Sequence, residues 1–212
     1  MTGFWTVVLP VKPFAVAKSR LCPWAGSRRE ELARSFFLDT LSAVLRADGI
    51  SRVIVVTSDR EAVSAAVSMG ALAVDDHPRT GLNTAVLKGA SYARGLEPES
   101  PVAVVAADLP ALKSAELSQV LVLARCHSRA VLADHTGRGT TVLTAARAQL
   151  LHPAFEGSSR HSHRLTGAHE ITSPNFPSVR LDVDTADDLR AAERLGLGRH
   201  TVHTLSALSL RR

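Results

Sequence analysis

The chain has 212 residues, of which 45% are hydrophobic and 21% are charged. This length and composition predict one globular domain and exclude intrinsic disorder, collagen-like repeats and a small disulfide scaffold. The formal net charge is +5, although only four of the 25 Lys and Arg residues are Lys. A basic chain suits nucleic acid or phosphorylated small molecules, so the charge does not distinguish these two kinds of partner.

Short apolar runs alternate with helical patterns along the first part of the chain. The runs predict buried strands at Phe4–Val11, Arg52–Thr57, Ala71–Val74 and Val102–Ala107. Between and after them we predict helices at Arg28–Ala47, with Ser27 as the cap, and at Arg60–Met69, Asn83–Arg94 and Ser114–Ala124. This alternation predicts a parallel sheet with helices on both faces.

The order of elements is less regular in the remainder of the chain. We predict strands at Ala130–Ala133, Thr141–Ala145 and Ser178–Asp184, a loop at Phe155–Gly167, and a helix at Ala186–Leu195. Residues 197–212 are expected to form a C-terminal tail or a short appended segment.

Cysteine usage and hydropathy indicate a reduced compartment. Cys22 and Cys126 lack the paired spacing of a zinc site or a redox motif, so we interpret both as reduced packing residues. The sequence contains no apolar stretch of spanning length, and its first residues resemble a strand rather than a secretory signal. We therefore expect a cytoplasmic protein without a membrane partner.

The loop after the first strand carries three cations and no glycine. Ligands of open α/β sheets bind at such strand ends, and Lys12, Lys18 and Arg20 lie within nine residues there. The lack of glycine disfavours a dinucleotide-binding turn or a P-loop, and with them a dehydrogenase. Side-chain charge can instead hold a triphosphate. The alternative is that Lys18 and Arg20 only solvate the loop.

Three carboxylates lie at the ends of predicted strands. Asp108 ends one buried run, and Asp182 and Asp184 are two residues apart at the end of another, so we expect the latter two to face the same way. Such oxygens are ligands for Mg²⁺, which also retains water and phosphate ligands. Asp108 and Asp184 have the alternative of capping a helix. His161 and His163 have no companions at metal-site spacing, so we assign them no metal.

In this combination the sequence resembles the guanylyltransferases of coenzyme F-420 biosynthesis, which transfer GMP to 2-phospho-L-lactate or phosphoenolpyruvate. The resemblance runs from about Val7 to Gly198. It rests on Val11-Lys12, Ala17 to Leu21, Leu82 to Ala85, Asp108 to Leu112, Gly139 to Leu143, Ser159 with His163, and Asp182 to Leu189.

The resemblance implies an α/β fold of the nucleotide-diphospho-sugar-transferase type, a single three-layer α/β/α domain with a mixed, mostly parallel sheet. Residues 1–196 would form this guanylyltransferase domain. It also implies roles for individual residues. The GTP phosphates would lie at Lys12, Lys18 and Arg20, the nucleoside near Asn83, and two Mg²⁺ at Asp108 and Asp182 with Asp184 adjacent. The catalytic residues would be Lys12, Lys18, Arg20, Asp108 and Asp182.

For the acceptor, the resemblance implies binding by Thr140, the Glu156–Gly157 turn and Ser159. The chain departs from the family here, because Glu156 stands where the family usually has glycine in a Phe-Gly-x-x-Ser pattern. A backbone N–H can still serve at that position. A glutamate side chain would repel a dianionic acceptor unless it turned away.

The expected activity is therefore transfer of GMP from GTP to phosphoenolpyruvate. We choose this acceptor because the Ala- and Arg-rich chain looks like the high-GC bacterial branch of the family. The alternatives are 2-phospho-L-lactate, or a sibling nucleotidyltransferase with another phosphorylated acceptor, although such siblings commonly have a glycine-rich first loop. A basic nucleic-acid-binding module is a different class, disfavoured by an aromatic content of 4%. We expect GTP and a small phosphorylated carboxylic acid as partners and no nucleic acid; a homodimer is left open.

Overall fold

The computed structural model describes residues 4–21 and 26–209, which build a seven-stranded sheet with helices around it. The strands are β1 (Trp5–Pro10), β2 (Ile50–Val56), β3 (Leu72–Val74), β4 (Val102–Val105), β5 (Arg129–Ala133), β6 (Thr140–Ala145) and β7 (His169–Glu170). The helices are α1 (Arg29–Leu45), α2 (Arg60–Ser68), α3 (Leu82–Leu96), α4 (Ser114–Ala124), α5 (Ser159–Leu165), α6 (Pro177–Arg180), α7 (Ala186–Leu195) and α8 (Arg199–Ser209). Single 3-10 turns lie at Ser19–Leu21, Gly26–Arg28 and Ala148–Leu150.

The sheet has the strand order β3-β2-β1-β4-β6-β5-β7. Strand β6 is antiparallel to β4 and to β5, and the other pairings are parallel, which confirms the predicted mixed, mostly parallel sheet. Because β6 is antiparallel to β4, with Val105 opposite Val142, its first residue lies at the edge where β1 and β4 end. This edge therefore gathers the loops after β1 and β4 and the start of β6.

Alternating side chains of the strands give the sheet two apolar faces. On β1, Val7 and Leu9 pack into one core with α1, α2 and α4, while Val8 packs into a second core with α3. Gly89 of α3 allows this second contact, since a Cβ atom there would overlap the side chains of Val8 and Val56. The result is the predicted three-layer α/β/α arrangement.

Two helix starts show how local sequence sets these elements. Asp59 caps α2, accepting hydrogen bonds from the N–H groups of the first turn. Thr185 and Asp188 form a reciprocal capping box at the start of α7, whose bounds match the prediction. Helix α1 differs from expectation because its cap position is Arg28, one residue after the predicted Ser27 cap, where a 3-10 turn leads into the helix.

The predicted strand Ser178–Asp184 is wrong. Pro177 begins the short helix α6, a position that its fixed φ favours, and residues 181–184 lie in neither helix nor strand. Val179, Leu181 and Val183 are all buried, so the alternating pattern came from side chains that enter the core without strand pairing.

Three further regions differ from the sequence-based expectations. The predicted loop at 155–167 contains α5, and the two-residue strand β7 follows it. Cys126 is exposed, so its interpretation as a packing residue is wrong; Cys22 lies outside the described residues. No helix in the described ranges, 4–21 and 26–209, is both long and apolar enough to cross a membrane.

The segment after residue 196, expected to be a tail or appended segment, contains α8, which packs on α1. The carboxylate of Asp39 in α1 accepts hydrogen bonds from the N–H groups of His200 at 3.0 Å and Thr201 at 2.8 Å. The Gly198 N–H donates to the carbonyl of Pro110 at 2.8 Å. These contacts join α8 to the loop that follows β4.

Candidate active site

A cavity of about 360 Å³ opens at the sheet edge where β1 and β4 end and β6 begins. We refer to it as the active-site cavity. Its polar lining includes most of the residues predicted from the sequence, namely Lys12, Lys18, Asp108, Thr140, Gly157, Ser159, Asp182 and Asp184. The fold thus brings the first loop, the three carboxylates and the residues predicted to bind the acceptor into one space.

The first loop is held by two residues to which we assigned no role from the sequence. The Phe14 N–H donates to Oδ2 of Asp59 at 2.9 Å, while Oδ1 of the same aspartate caps α2. The guanidinium of Arg29, at the start of α1, donates to the carbonyl of Ala15 at 2.6 Å and also bonds the carbonyl of Ala17. The sequence predicts Asp59 only as a possible helix cap, whereas in the structure this residue also holds the first loop.

Lys18 lies between two carboxylates at the edge of the cavity. Its ammonium donates to Oδ1 of Asp184 at 2.7 Å and pairs with Asp108, and its side chain is only 9% exposed. Burial alone would lower the pKa of Lys18, but the charges of Asp108 and Asp184 outweigh it and raise this pKa. Its backbone has a φ of +56°, a strained conformation for a residue other than glycine. The ion pairs oppose that strain.

The other two predicted cations occupy different positions. Lys12 is exposed and lines the active-site cavity. Arg20 has a side chain that is 76% exposed, and its Nη1 lies 3.9 Å from Oδ2 of Asp184, outside the cavity lining. Two of the three cations therefore face the cavity, and the third lies at its rim.

Asp182 carries a buried carboxylate oxygen without a hydrogen bond. Its Oδ1 is buried without a hydrogen-bond partner, although Nδ1 of His135 lies 3.5 Å away. Burial, together with the charges of Asp108, Asp184 and Asp134, raises the pKa of Asp182 to about 7. At neutral pH this carboxyl would gain from a nearby cation.

Asp184 has the opposite electrostatic environment. Burial would raise its pKa, but the charge and hydrogen bond of Lys18, with Arg20 and Lys12 further away, lower it. Because Thr185 and Asp188 cap α7, Asp184 is not the cap and is available to Lys18.

The donor chemistry of the site fits a hard divalent cation. Within residues 4–21 and 26–209 no three His, Cys, Asp or Glu side chains are arranged as a complete metal site. A cation such as Mg²⁺ needs only one or two carboxylates when substrate phosphates and waters complete its coordination. Asp108 and Asp182 line the cavity, and the unpartnered oxygen of Asp182 meets that requirement.

The cavity is also lined by the hydroxyl groups of Thr140 and Ser159, and a buried histidine contacts the first of them. Ser159 donates to Oγ1 of Thr140 at 3.1 Å, and Nδ1 of His163 lies 3.1 Å from the same oxygen. Nε2 of His163 accepts from the Ala154 N–H at 2.9 Å, so the neutral ring carries its proton on Nδ1 and donates it to Thr140. Burial and the charge of Arg129 lower the pKa of His163 to about 4, which keeps this ring neutral. Thr140 thus accepts two hydrogen bonds and retains its own proton to donate.

Two predicted residues lie beside the cavity instead of lining it. Oδ1 of Asn83 accepts from the Phe155 N–H at 2.8 Å, so this amide holds the loop at Phe155 against α3. The carboxylate of Glu156 is turned toward Gly81, where its Oε1 would lie 3.7 Å from an added Cβ atom. Gly157 lines the active-site cavity, whereas Glu156 is not among its lining residues.

Comparison with known proteins identifies a family. The family described as "Guanylyl transferase CofC like" matches residues 5–211. Phosphoenolpyruvate guanylyltransferase of Streptomyces scabiei is 47% identical over 209 residues, which cover 96% of this chain and 97% of that protein. The Streptomyces coelicolor protein of the same name is 47% identical over 205 residues, covering 96% of this chain and 97% of that protein.

Solved structures at low sequence identity share the fold. A Desulfovibrio desulfuricans protein assigned as a nucleotide-diphospho-sugar transferase has a TM-score of 0.67 at 16% identity and covers 90% of this chain and 86% of its own. A nucleotidyl transferase of Methanothermobacter has a TM-score of 0.64 at 18% identity, covering 91% of this chain and 97% of its own. A Mycobacterium tuberculosis protein solved with manganese has a TM-score of 0.57 at 17% identity, with coverage of 90% and 97%. The fold prediction is therefore confirmed, and by its own sequence the chain belongs to the CofC-like guanylyl transferase family.

Proposed function

We propose that this chain transfers GMP from GTP to the phosphate of phosphoenolpyruvate, forming enolpyruvoyl-diphospho-guanosine and pyrophosphate in a step of coenzyme F-420 biosynthesis. The observation that carries the proposal is the active-site cavity, which combines Lys12 and Lys18 with carboxylates on one side and hydroxyls on the other. The names of the Streptomyces relatives support phosphoenolpyruvate as the acceptor.

In the proposed reaction, an oxygen of the acceptor phosphate attacks the α-phosphorus of GTP. A new oxygen–phosphorus bond forms while the bond from the α-phosphorus to the departing pyrophosphate breaks. The acceptor phosphate is already ionised near neutral pH, so the site needs no strong general base. Its task is to hold two polyanions together, and Lys12 and Lys18 supply positive charge for that purpose.

We assign Asp108 and Asp182, with Asp184 adjacent, as the residues that would hold two Mg²⁺ ions. When bound, Mg²⁺ neutralises phosphate charge and fixes the geometry of the reacting groups. The unpartnered oxygen of Asp182 supports this assignment, as does the position of Asp108 beside it in the cavity. Lys18 compensates Asp108 and Asp184 and keeps both side chains in place.

We assign the acceptor to Thr140, Ser159 and the backbone of Gly157. The free hydroxyl proton of Thr140 is available to an acceptor oxygen, since this oxygen already accepts from His163 and Ser159. The position of the Glu156 carboxylate beside Gly81, outside the lining of the active-site cavity, is compatible with an anionic acceptor there. In this proposal residues 1–196 form the catalytic domain, and the reaction takes place in the cytoplasm.

The test is pyrophosphate release from the protein with Mg²⁺, either GTP or ATP, and either phosphoenolpyruvate or 2-phospho-L-lactate. We expect the fastest release with GTP and phosphoenolpyruvate. Release with 2-phospho-L-lactate alone would reassign the acceptor. Absence of release with GTP and both acceptors would contradict the proposed function.

A further inference from the structure

A second cavity, of about 430 Å³, adjoins the active-site cavity and takes no part in the chemistry described above. The two cavities share a wall formed by Pro10, Val11, Lys12 and Leu82. A ligand with its phosphates at Lys12 can therefore extend into the second cavity. This volume lies within the range of small-molecule sites.

The second cavity has apolar walls and few polar groups. Its apolar lining comes from Pro13 and Val16 of the first loop and from Leu82 and Ala85 of α3. Apart from Lys12, its charged side chains are Asp76 and Arg79. Apolar walls with a few polar groups suit a flat heteroaromatic ring whose edge is read by hydrogen bonds.

Asp76 has a carboxylate oxygen that lacks a partner. Its Oδ1 is buried and accepts no hydrogen bond. Within the part of the chain that the structure describes, Asp76 and Asp182 are the carboxylates with such an oxygen, and they line the two adjoining cavities, one each. A buried carboxylate oxygen is costly unless something donates to it, so Asp76 is matched to a ligand with N–H groups.

We propose that the second cavity binds the base of GTP and that Asp76 selects guanine, an inference that rests on the proposed function. Guanine presents two adjacent donors, the ring N1–H and the 2-amino group, to which a carboxylate can bond with both oxygens. Adenine and cytosine place an unprotonated ring nitrogen beside their amino group, and uracil places its N–H between two carbonyls. None of these three can satisfy a carboxylate in the same way.

The surrounding loop supports this role. Arg79 is exposed at the cavity, and a guanidinium can donate to O6 and N7 of guanine. The loop that carries Asp76 has an internal hydrogen bond, in which Oδ1 of Asp75 accepts from the His77 N–H at 3.0 Å, and the Lys88 ammonium of α3 bonds the His77 carbonyl. Asp76 is thereby held at a defined position relative to α3.

The test measures dissociation constants of GDP, IDP and XDP with Mg²⁺ and no acceptor, so that no turnover occurs. The wild-type chain should bind GDP at least about 10-fold more tightly than IDP, which lacks the 2-amino group. Asp76→Asn should weaken GDP binding about 10- to 100-fold and shift preference toward XDP, whose C2 carbonyl can accept from the asparagine amide. The matched control is Asp48→Asn, an exposed carboxylate remote from the Asp76 loop and outside the lining of both cavities, which should retain the wild-type preference.

Equal binding of GDP and IDP by the wild-type chain would overturn the inference, and this comparison needs no variant to fold. An unchanged preference for GDP in Asp76→Asn would also overturn it, even if GTP supports pyrophosphate release. Conversely, selective GDP binding without pyrophosphate release from any acceptor would contradict the proposed function and support the base pocket.

Discussion

At the scale of single residues, Asp182 and Lys18 set the charge balance of the site. Lys18 bonds Asp108 and Asp184 but not Asp182, whose pKa is raised to about 7, mainly by burial. A folded-state pKa above the unfolded value means that the ionised carboxyl opposes folding. Stability from this group is therefore greatest at low pH and is lost as pH rises through about 7.

Asp182→Asn should separate activity from stability. Removing this proposed Mg²⁺ ligand should reduce pyrophosphate release by about 100-fold or more, since the site loses a preorganised charge. At pH 8 the variant should be at least as stable as the wild type toward urea, because the uncompensated charge is gone. The control is Asp187→Asn on α7, whose side chain is 88% exposed. Near-normal turnover in both Asp182→Asn and Asp108→Asn would show the site assignment to be wrong.

Lys18→Ala should lower both activity and stability. The variant leaves the Asp108 and Asp184 carboxylates without their shared cation, and we expect turnover to fall about 100-fold. Steady-state pyrophosphate release and urea unfolding measure the two effects. Lys113→Ala, which removes an exposed lysine paired with Glu116 at 3.8 Å, should change neither by a comparable amount. Equal activities of the two variants would exclude Lys18 from catalysis.

At the scale of elements, the structure joins α8 to the site through α1 and the loop after β4. Asp39 accepts from two N–H groups at the start of α8, so it compensates the positive end of that helix. Gly198 lies against this carboxylate, since a Cβ atom there would overlap the Asp39 side chain. The Leu109 N–H also donates to Oγ1 of Thr40 in α1 at 2.9 Å. Thus α1 orients both α8 and the residue after Asp108.

Asp39→Ala should therefore loosen α8. Loss of a carboxylate cap costs about 1 to 2 kcal/mol, and we expect the free energy of unfolding to fall by that amount. Amide hydrogen exchange should rise first at residues 200–203. Asp48→Ala, an exposed aspartate near the end of α1, serves as control. Unchanged exchange in α8 would mean that its packing does not depend on Asp39.

The short helices are the elements that could not be predicted from the sequence. The bounds of α4 and α7 match the predictions, because an amphipathic repeat and a capping box are encoded locally. Helices α5 and α6 have seven and four residues, lengths at which a helix depends on tertiary contacts for its stability. The strand predicted at 178–184 was wrong because burial of alternate residues does not require a partner strand.

At the scale of the whole molecule, His163 makes stability depend on pH. Its folded pKa of about 4 lies below its ordinary value of 6.5, because of burial and the charge of Arg129. The unfolded chain therefore takes up a proton first as the pH falls. The contribution of His163 is complete above pH 6.5 and is lost progressively between pH 6.5 and about 4.

We expect this loss to reach at most about 3 kcal/mol. Urea unfolding at pH 7 and pH 5 should show a smaller pH dependence in His163→Gln than in the wild type, and the variant should be less stable at pH 7. His161→Gln, at an exposed position of the same helix, should retain the wild-type dependence. An identical pH dependence in His163→Gln and the wild type would contradict this origin.

The sequence by itself determined the α/β class, the long helices and the two places where chemistry gathers. Periodic burial is a local property, and the strand-end rule places Lys12, Lys18 and Asp108 at one edge of the sheet. The contacts of Asp59 and His163 could not be predicted in this way. Asp59 reaches Phe14 across 45 residues, and the tautomer of His163 depends on the Ala154 N–H.

Only the tertiary structure decided which charges meet. Lys18 pairs with Asp108 and Asp184, which are 90 and 166 residues away along the chain, while Arg20 stays at the rim. The fold also placed the Glu156 carboxylate beside Gly81 and opened a second cavity beside Asp76. The physical reason is distance: hydrogen bonds and ion pairs form only within a few ångströms, and the packing of remote segments sets that separation.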